Sequence, residues 1–505
     1  MVSKKGNFWF VYTITSISQC FALGWSAYIL TVPQSHALNW IEKQLDNSTS
    51  NKSEIGDRAL TLFSLANSLP WLASLLGIII ANLTAENYGR KPILIFNGIN
   101  LFISQLLTCI AIPCNQIWLL ILGRFLTGVN IGSSTVFILY IGEITSLKLR
   151  AAVTSSFLIW SNAGNGFSMA VSIDKALGGA DTWHYVSLIG CGLSFLQFIF
   201  IKIVPESPTY LNRLGRVDEV KQILESLYGD KAANVDLKDV PAASTITATN
   251  NSGTNELHDI STEQPIPPKA KEPPFYHSLY HDRTLQKALF YQILLSIFAV
   301  LSGMLVITVY STRIIRSFNF DLLTAQLITV GMTVFRTIGQ ALGTVTLRRW
   351  KRKTSLMVSY GGTCLSTVAM AVIGQYLVLE DGSEMEGSDT NNLALKIILI
   401  ALILLGLASY SLGIHCLLFV IPNEILPPRY KYLGQMFTFG TFRLGLFILG
   451  IVFPLIERSI GSFVFVIFAV SNFMGFVYIY FRGVSSRDME SVVVFEKFRK
   501  RKFFL

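Results

Sequence analysis

Charged side chains are scarce in this chain of 505 residues. Asp, Glu, Lys and Arg together supply only 14%, against roughly 25% in an ordinary soluble domain. Hydrophobic residues supply 51%, and long polar stretches are almost missing, which excludes an ordinary water-soluble globule. Cysteine is also rare. The six (Cys20, Cys109, Cys114, Cys191, Cys364 and Cys416) fall in or beside apolar segments without metal-ligand spacing, so they read as packing residues. A glycine-rich nucleotide-binding loop and a nucleophile triad are lacking too, so neither enzymatic activity nor ATP-driven pumping is expected. No catalytic residue, metal ligand or cofactor is assigned.

What the chain does have is apolar runs. A helix needs about 20 predominantly apolar residues to cross the hydrocarbon core. Such runs recur near 8–32, 60–82, 92–112, 117–139, 150–172 and 184–204, then near 287–312, 322–345, 354–378, 394–421, 434–456 and 460–481. Backbone polar groups cannot go unpaired in lipid, so each run must be helical. The spacing predicts an all-α membrane protein of twelve transmembrane helices in two six-helix halves.

Orientation follows from the loops. With both termini placed in the cytoplasm and the central loop set aside, 20 Lys and Arg fall on the inner side and seven on the outer, the positive-inside asymmetry. Arg348, Arg349, Lys351, Arg352 and Lys353 fill one inner loop, whereas Glu380, Asp381, Glu384, Glu386 and Asp389 fill an outer one. The net charge of +10 therefore needs no nucleic acid to explain it. Basic clusters such as Lys497 to Lys502 suit anionic inner-leaflet lipid. The first apolar run is too long for a cleavable signal and lacks a small-residue cleavage site, so it is expected to stay as the first helix. Asn47-Ser48-Thr49 and Asn51-Lys52-Ser53, in the outer loop 33–59, are glycosylation acceptor patterns. Asn250-Asn251-Ser252 also matches but falls on the cytoplasmic side.

Residues 206–286 form the one long polar insertion. Ser207 to Tyr228 is predicted to be an amphipathic helix with Leu211, Leu214, Val217, Val220 and Leu224 on one side. From about Gly229 to Pro274 periodicity is lost and disorder is expected. The expected organisation is an N-terminal bundle over 1–205, a cytoplasmic loop over 206–286, a C-terminal bundle over 287–482 and a basic cytoplasmic tail over 483–505.

Five short strings carry a family resemblance. Gly123-Arg124-Phe125-Leu126-Thr127-Gly128, continuing to Tyr140, Glu143 and Arg150, resembles the fourth helix and following loop of sugar porters of the major facilitator superfamily. Glu86-Asn87-Tyr88-Gly89-Arg90-Lys91 resembles the inner loop between helices two and three. Pro205-Glu206-Ser207-Pro208 is similar to the motif that ends helix six. Asn423-Glu424-Ile425-Leu426-Pro427 follows helix ten, and Met489-Glu490 echoes a further signature in the tail. Each string alone is weak; five in order, each at the correct face, identify the chain as a divergent member of the glucose- and trehalose-transporter-like family. The resemblance implies a major facilitator fold and inner-face ion pairs, among them Glu143 with Arg150 and Arg90, and Glu424 with Arg348 or Arg349. The gating set it implies is Arg90, Arg124, Glu143, Arg150, Glu206, Glu424, Arg348 and Arg349. Such pairs can bias a two-state equilibrium by a few kcal/mol, as alternating access requires; the plainer reading is that they only set topology. Gly123, Gly128 and Gly132 are expected to allow close helix packing.

The departures gather where the family's cavity would lie. Leu301-Ser302-Gly303 is kept in helix seven, but the two glutamine positions are Ala299 and Val300 and the asparagine position is Leu305. The helix-five glutamine position is Leu158, and the helix-ten tryptophan position is Phe419. Buried polar groups left unpaired cost about 1–3 kcal/mol each, so losing these amides removes most of the expected grip on a hexose. In exchange helix eight carries Arg336 near its middle and helix eleven carries Arg443. A central Arg costs roughly 2.5–3.5 kcal/mol on insertion scales and marks a functional site by default. Arg336 could instead pair with a carbonyl or line a hydrated cavity, and Arg443 could snorkel to the interface. Candidate substrate-binding residues are Arg336, Arg443, Ser302, Thr308, Tyr310, Phe419, His415 and Asn162.

Helices one to six hold no Asp or Glu away from their ends, and helix one reads Gly24-Trp25-Ser26 where proton-coupled relatives carry an acid. Facilitated transport is therefore expected over symport, with a sugar as the first substrate expectation. The alternatives are an organic anion, or a sensor or scaffold that binds without carrying. Expected partners are a small-molecule solute and the lipid bilayer; a monomer at the plasma membrane, with both termini cytoplasmic, completes the expectation.

Overall fold

The structure, a computed structural model, describes residues 7–46, 52–145, 147–200, 204–229, 282–318, 320–346, 349–380, 389–427, 430–484 and 494–496. Each apolar run expected from the sequence contains helix among the described residues. The first half comprises α1 (Phe8–Ser16), α2 (Ala22–Ala27), α3 (Gln34–Asp46), α4 (Lys52–Tyr88), α5 (Lys91–Ile110), α6 (Ile117–Ser133), α7 (Thr135–Ile144), α8 (Leu147–Val171) and α9 (Tyr185–Phe200). Short helices α10 (Pro208–Arg213) and α11 (Val217–Tyr228) follow. The second half comprises α12 (Arg283–Leu301), α13 (Met304–Val309), α14 (Ser311–Ser317), α15 (Leu322–Thr346), α16 (Arg352–Glu380), α17 (Asp389–Tyr410), α18 (Cys416–Ile425), α19 (Lys431–Ile460) and α20 (Val464–Arg482). Among the described residues eight segments are long and apolar enough to cross a bilayer, the last of them, Leu433–Arg482, taking in two helices.

The helices are inside out relative to those of a soluble protein. Along α5, Phe96, Ile99, Ile103 and Ile110 are exposed, while Asn97, Asn100, Ser104, Gln105 and Thr108 are buried. Along α15, Leu327, Val334, Ile338 and Leu342 are exposed, while Gln326, Thr329, Thr333, Arg336 and Gln340 form a buried polar stripe at helical spacing. Lipid accepts the first set, and the bundle interior shelters the second from it. Asn100 Nδ2 donates to Leu126 O at 2.8 Å and Asn130 Nδ2 to Asn97 O at 2.7 Å, joining α5 to α6.

Within the first half α4 and α5 pack on α6, α5 on α9, and α2 on α8; within the second, α16 packs on α17 and α20, α15 on α17, and α12 on α19. The halves meet along two seams, α4 against α19 and α8 against α15. The glycines of α6 work as expected: a Cβ at Gly132 would stand 2.0 Å from Ser74 O, and one at Gly128 2.4 Å from Pro70 O. Only bare backbone allows α4 and α6 to approach so closely.

Two expectations are corrected. The outer loop 33–59 is largely helical: α3 seals its buried Ala37 and Ile41 against the core, and α4 begins at Lys52 rather than near 60. The single helix expected over Ser207–Tyr228 is two, broken at Gly215 with φ +77°. The break lets Tyr210 and Leu211 pack on Val220 and Leu224, whereas Leu214 is exposed. Of the segment expected to be disordered, residues 230–274 lie outside the described residues.

Candidate functional site

Four polar assemblies stand out: a cluster at one end of each half, a seam between the halves at the other end, and a central cavity.

The first inner cluster is built by the turn between α4 and α5. Gly89 adopts φ +93°, a conformation open to glycine, and a Cβ there would lie 2.7 Å from Glu206 Oε2. The turn presents Arg90, whose Nε and Nη2 donate to Glu143 Oε2 and Oε1 at 2.9 and 2.6 Å, a two-pronged ion pair. Glu206 Oε1 accepts from the backbone N–H of Arg90 at 2.8 Å, of Lys91 at 3.3 Å and of Ser207 at 2.8 Å. It thereby supplies the N-terminus of α5 with the anion its unpaired N–H groups favour. Ser207 Oγ donates to Glu143 Oε2 at 2.5 Å, and Tyr140 Oη to Pro205 O at 3.0 Å. Four helix ends of one half are thus tied together. In the second half Arg352 Nη2 donates to Glu424 Oε1 at 2.6 Å and its Nε to both carboxylate oxygens at 3.1 Å.

Of the expected gating residues, Arg90, Glu143, Glu206 and Glu424 are therefore brought into ion pairs or caps. The pair shown for Glu424 is with Arg352; Arg349, expected in that role, is exposed on the turn before α16, and Arg348 lies outside the described residues. The backbone of Arg150 is in α8, and its side chain lies outside the described residues. Arg124 is corrected outright. It is fully buried, and its Nε, Nη1 and Nη2 donate to Ala66 O at 3.2 Å, Ser26 O at 2.7 Å and Ala27 O at 2.8 Å. It starts less than two turns from the outer end of α6, so it reaches the carbonyls at the outer end of α2 and not the inner-face acids. Asn47 and Asn51 lie outside the described residues.

Across the outer seam, Gln326 Nε2 donates to Asp174 Oδ1 at 2.8 Å and Asp174 N to Gln326 Oε1 at 3.1 Å. His36 Nε2 lies 3.1 Å from the same Asp174 oxygen. Arg458 contacts Asp57 between α19 and α4. These contacts bridge the halves at the end of the bundle where α4 begins.

The cavity lies between the seams, lined from one half by Tyr28, Trp71, Leu158, Asn162 and Asn165, and from the other by Leu305, Arg336, His415, Phe419 and Arg443. It offers about 70 Å³ to the centres of water molecules, room for a few waters. Arg336 is 4% exposed; its Nε and Nη1 have no hydrogen-bond partner, and its guanidinium stands 5.6 Å from the centre of the Tyr28 ring. Arg443, with Nε unpartnered, stands 5.2 Å from the centre of the Trp71 ring. Each cation belongs to one half and each ring to the other. His415 sits in a π-helical turn (Ser411–His415), where its Nδ1 lies 3.2 Å from Gln340 Oε1. Asn162 Nδ2 and both polar atoms of the Asn165 side chain are buried without partners.

Five of the eight candidates thus meet at the cavity: Arg336, Arg443, His415, Phe419 and Asn162. Ser302, Thr308 and Tyr310 do not line it. Gly303, at φ +77°, separates α12 from α13; Thr308 Oγ1 then donates to Met304 O at 2.8 Å, Ser302 Oγ to Ala299 O at 2.7 Å and Tyr310 Oη to Gly450 O at 2.7 Å. Arg443 does not snorkel to the interface. Tyr28, Trp71 and Asn165 were not anticipated; the signal was available in α8, where Asn165 follows Asn162 at a spacing that puts both on one face.

Helices with apolar exteriors, polar interiors and a cavity between two bundles define a multi-pass membrane transporter of the major facilitator fold. The chain belongs to the Sugar (and other) transporter family, whose profile matches residues 11–487. It is similar to the human solute carrier family 2, facilitated glucose transporter member 7, 24% identical over 453 residues, covering 88% of this chain and 81% of that one. It is also similar to the arabinose-proton symporter of Bacillus subtilis, 22% identical over 421 residues, covering 81% and 80%. A solved structure of the proton:xylose symporter XylE, from E. coli, bound to 6-bromo-6-deoxy-D-glucose, superposes with a TM-score of 0.70 at 15% identity, covering 97% of this chain and 99% of that one.

The Arg90–Glu143 pair makes a direct test. Breaking a largely buried pair leaves the other charge exposed to a poor environment, so single changes cost more than joint removal predicts. Arg90→Met and Glu143→Gln are each expected to lower the melting temperature in detergent, with the double variant less destabilised than the sum. The coupling energy should be on the order of 1–3 kcal/mol, and an additive cycle would contradict the geometry.

Proposed function

We propose that the chain carries a small polar solute, a sugar in the first instance, across a membrane by facilitated alternating access. The observation that carries this reading is the position of the cavity. It lies between two helical bundles that touch along two seams, with walls drawn from both. Rocking one bundle against the other would open it to either side in turn. The ion pairs and caps on the inner face lie within a half, so they would keep each bundle rigid while it rocks.

The rest of the proposal follows the chain. Twelve segments cross the membrane, residues 1–205 and 287–482 forming the bundles, with the loop 206–286 and tail 483–505 in the cytoplasm. The basic inner loops favour this orientation, and a monomer in the plasma membrane is the proposed state. Asn47 and Asn51 would then carry glycans; deglycosylation should shift the mobility of the chain but not of the Asn47→Gln, Asn51→Gln variant, and a modified Asn250 would reverse the orientation.

Transport is proposed as uncoupled, because no Asp or Glu is among the residues lining the cavity and proton relays use buried carboxylates or His. The one imidazole among those lining residues, His415, is engaged with Gln340. No enzymatic activity is proposed. Purified chain in proteoliposomes should show saturable solute entry that stops at equal concentrations inside and out and ignores a protonophore. Accumulation driven by a proton gradient would contradict the uncoupled reading; ligand binding without flux would favour a sensor.

A further inference from the structure

The two cavity arginines pose an electrostatic question that a neutral sugar does not answer. Burying each inside a membrane-spanning bundle is costly, and stacking over an aromatic ring returns only part of that cost. Their remaining needs are unmet inside the protein: Arg336 Nε and Nη1 and Arg443 Nε are buried without partners. The carboxylates Glu143 and Glu424 are paired with Arg90 and Arg352. Asp174 at the outer seam is held by Gln326. The cavity lining therefore carries two positive charges and no negative one.

The neutral groups point the same way. Where hydroxyl-binding amides were expected, the cavity is lined by Leu158 and Leu305. The amides that remain, Asn162 and Asn165, stand on α8 in the opposite half from the arginines, with unpartnered N–H groups. One wall thus offers charged forks that match a carboxylate, and the other offers neutral donors and acceptors suited to hydroxyls.

We infer that the preferred solute is a sugar acid, its carboxylate recognised by Arg336 and Arg443 and its hydroxyls by Asn162 and Asn165. This rests on the transport reading above and narrows its substrate class. A carboxylate gains charge-assisted hydrogen bonds from groups that otherwise remain unsatisfied, whereas a hexose leaves both charges in place.

The test uses full-length chain in proteoliposomes with labelled glucuronate and glucose at equal concentration, and sulfate as a competing bare oxyanion. The expected result is saturable glucuronate entry at least tenfold above glucose, increased by an interior-positive potential. Arg336→Gln and Arg443→Gln should each cut glucuronate entry at least tenfold, and Arg336→Lys should retain part of it. A thermal-shift measurement checks that the variants fold and reads binding separately from flux. Glucuronate, but not glucose, raising the melting temperature without any flux would support the anion site while ending the transport reading. Glucose entering while glucuronate neither enters nor binds would end the sugar-acid inference and leave transport intact. Sulfate competing as strongly as glucuronate would also overturn it.

Discussion

A polar side chain cannot be left facing hydrocarbon, and that constraint orders most of this molecule. It turns the amides and hydroxyls of α5 and α15 inward and leaves isoleucine, leucine and phenylalanine outside. It also explains Arg124. Five guanidinium hydrogens buried in a bundle need acceptors, and the carbonyls of Ser26, Ala27 and Ala66 supply them at the point where α2, α4 and α6 converge. The arginine thus joins three helices, and the glycines of α6 bring its backbone close to that of α4.

The same constraint separates charges that hold the protein together from charges that wait for something else. Arg90, Glu143 and Glu206 satisfy one another and a helix N-terminus, which ties four helix ends of the first bundle together. Arg352 and Glu424 do so for the second. Contacts between bundles are of another kind: Gln326 with Asp174 and Arg458 with Asp57 lie toward the opposite end, and aromatic rings from one bundle cover arginines from the other at the centre. Rigid bundles with a breakable seam are what rocking motion requires.

Much of the fold was legible because membrane helices announce themselves by length and apolarity alone. The inner clusters were legible as short strings, since Arg90, Glu143 and Glu206 keep both residue type and position. Arg336 was legible because a charge in mid-helix marks a functional site by default. What could not be read depended on backbone detail. Helix α3 carries too many polar residues to stand out between two apolar runs. That Arg352 pairs with Glu424 could not be read among five neighbouring basic residues without the register of the turn before α16. Thr308 and Tyr310 were misplaced because the left-handed Gly303 resets the helix after it, and no periodicity argument crosses such a break.

Whether the two bundles exchange access to the cavity is the claim on which the functional account stands. Spin labels at Thr61 and Ser459, exposed positions beside the Asp57–Arg458 contact, would report the outer seam in lipid through their distance distribution. The account predicts two populations, one short and one longer, whose proportions change when a transported solute is added. A single short distance, unchanged by any solute and in every lipid, would mean that the outer side never opens, and alternating access would fail.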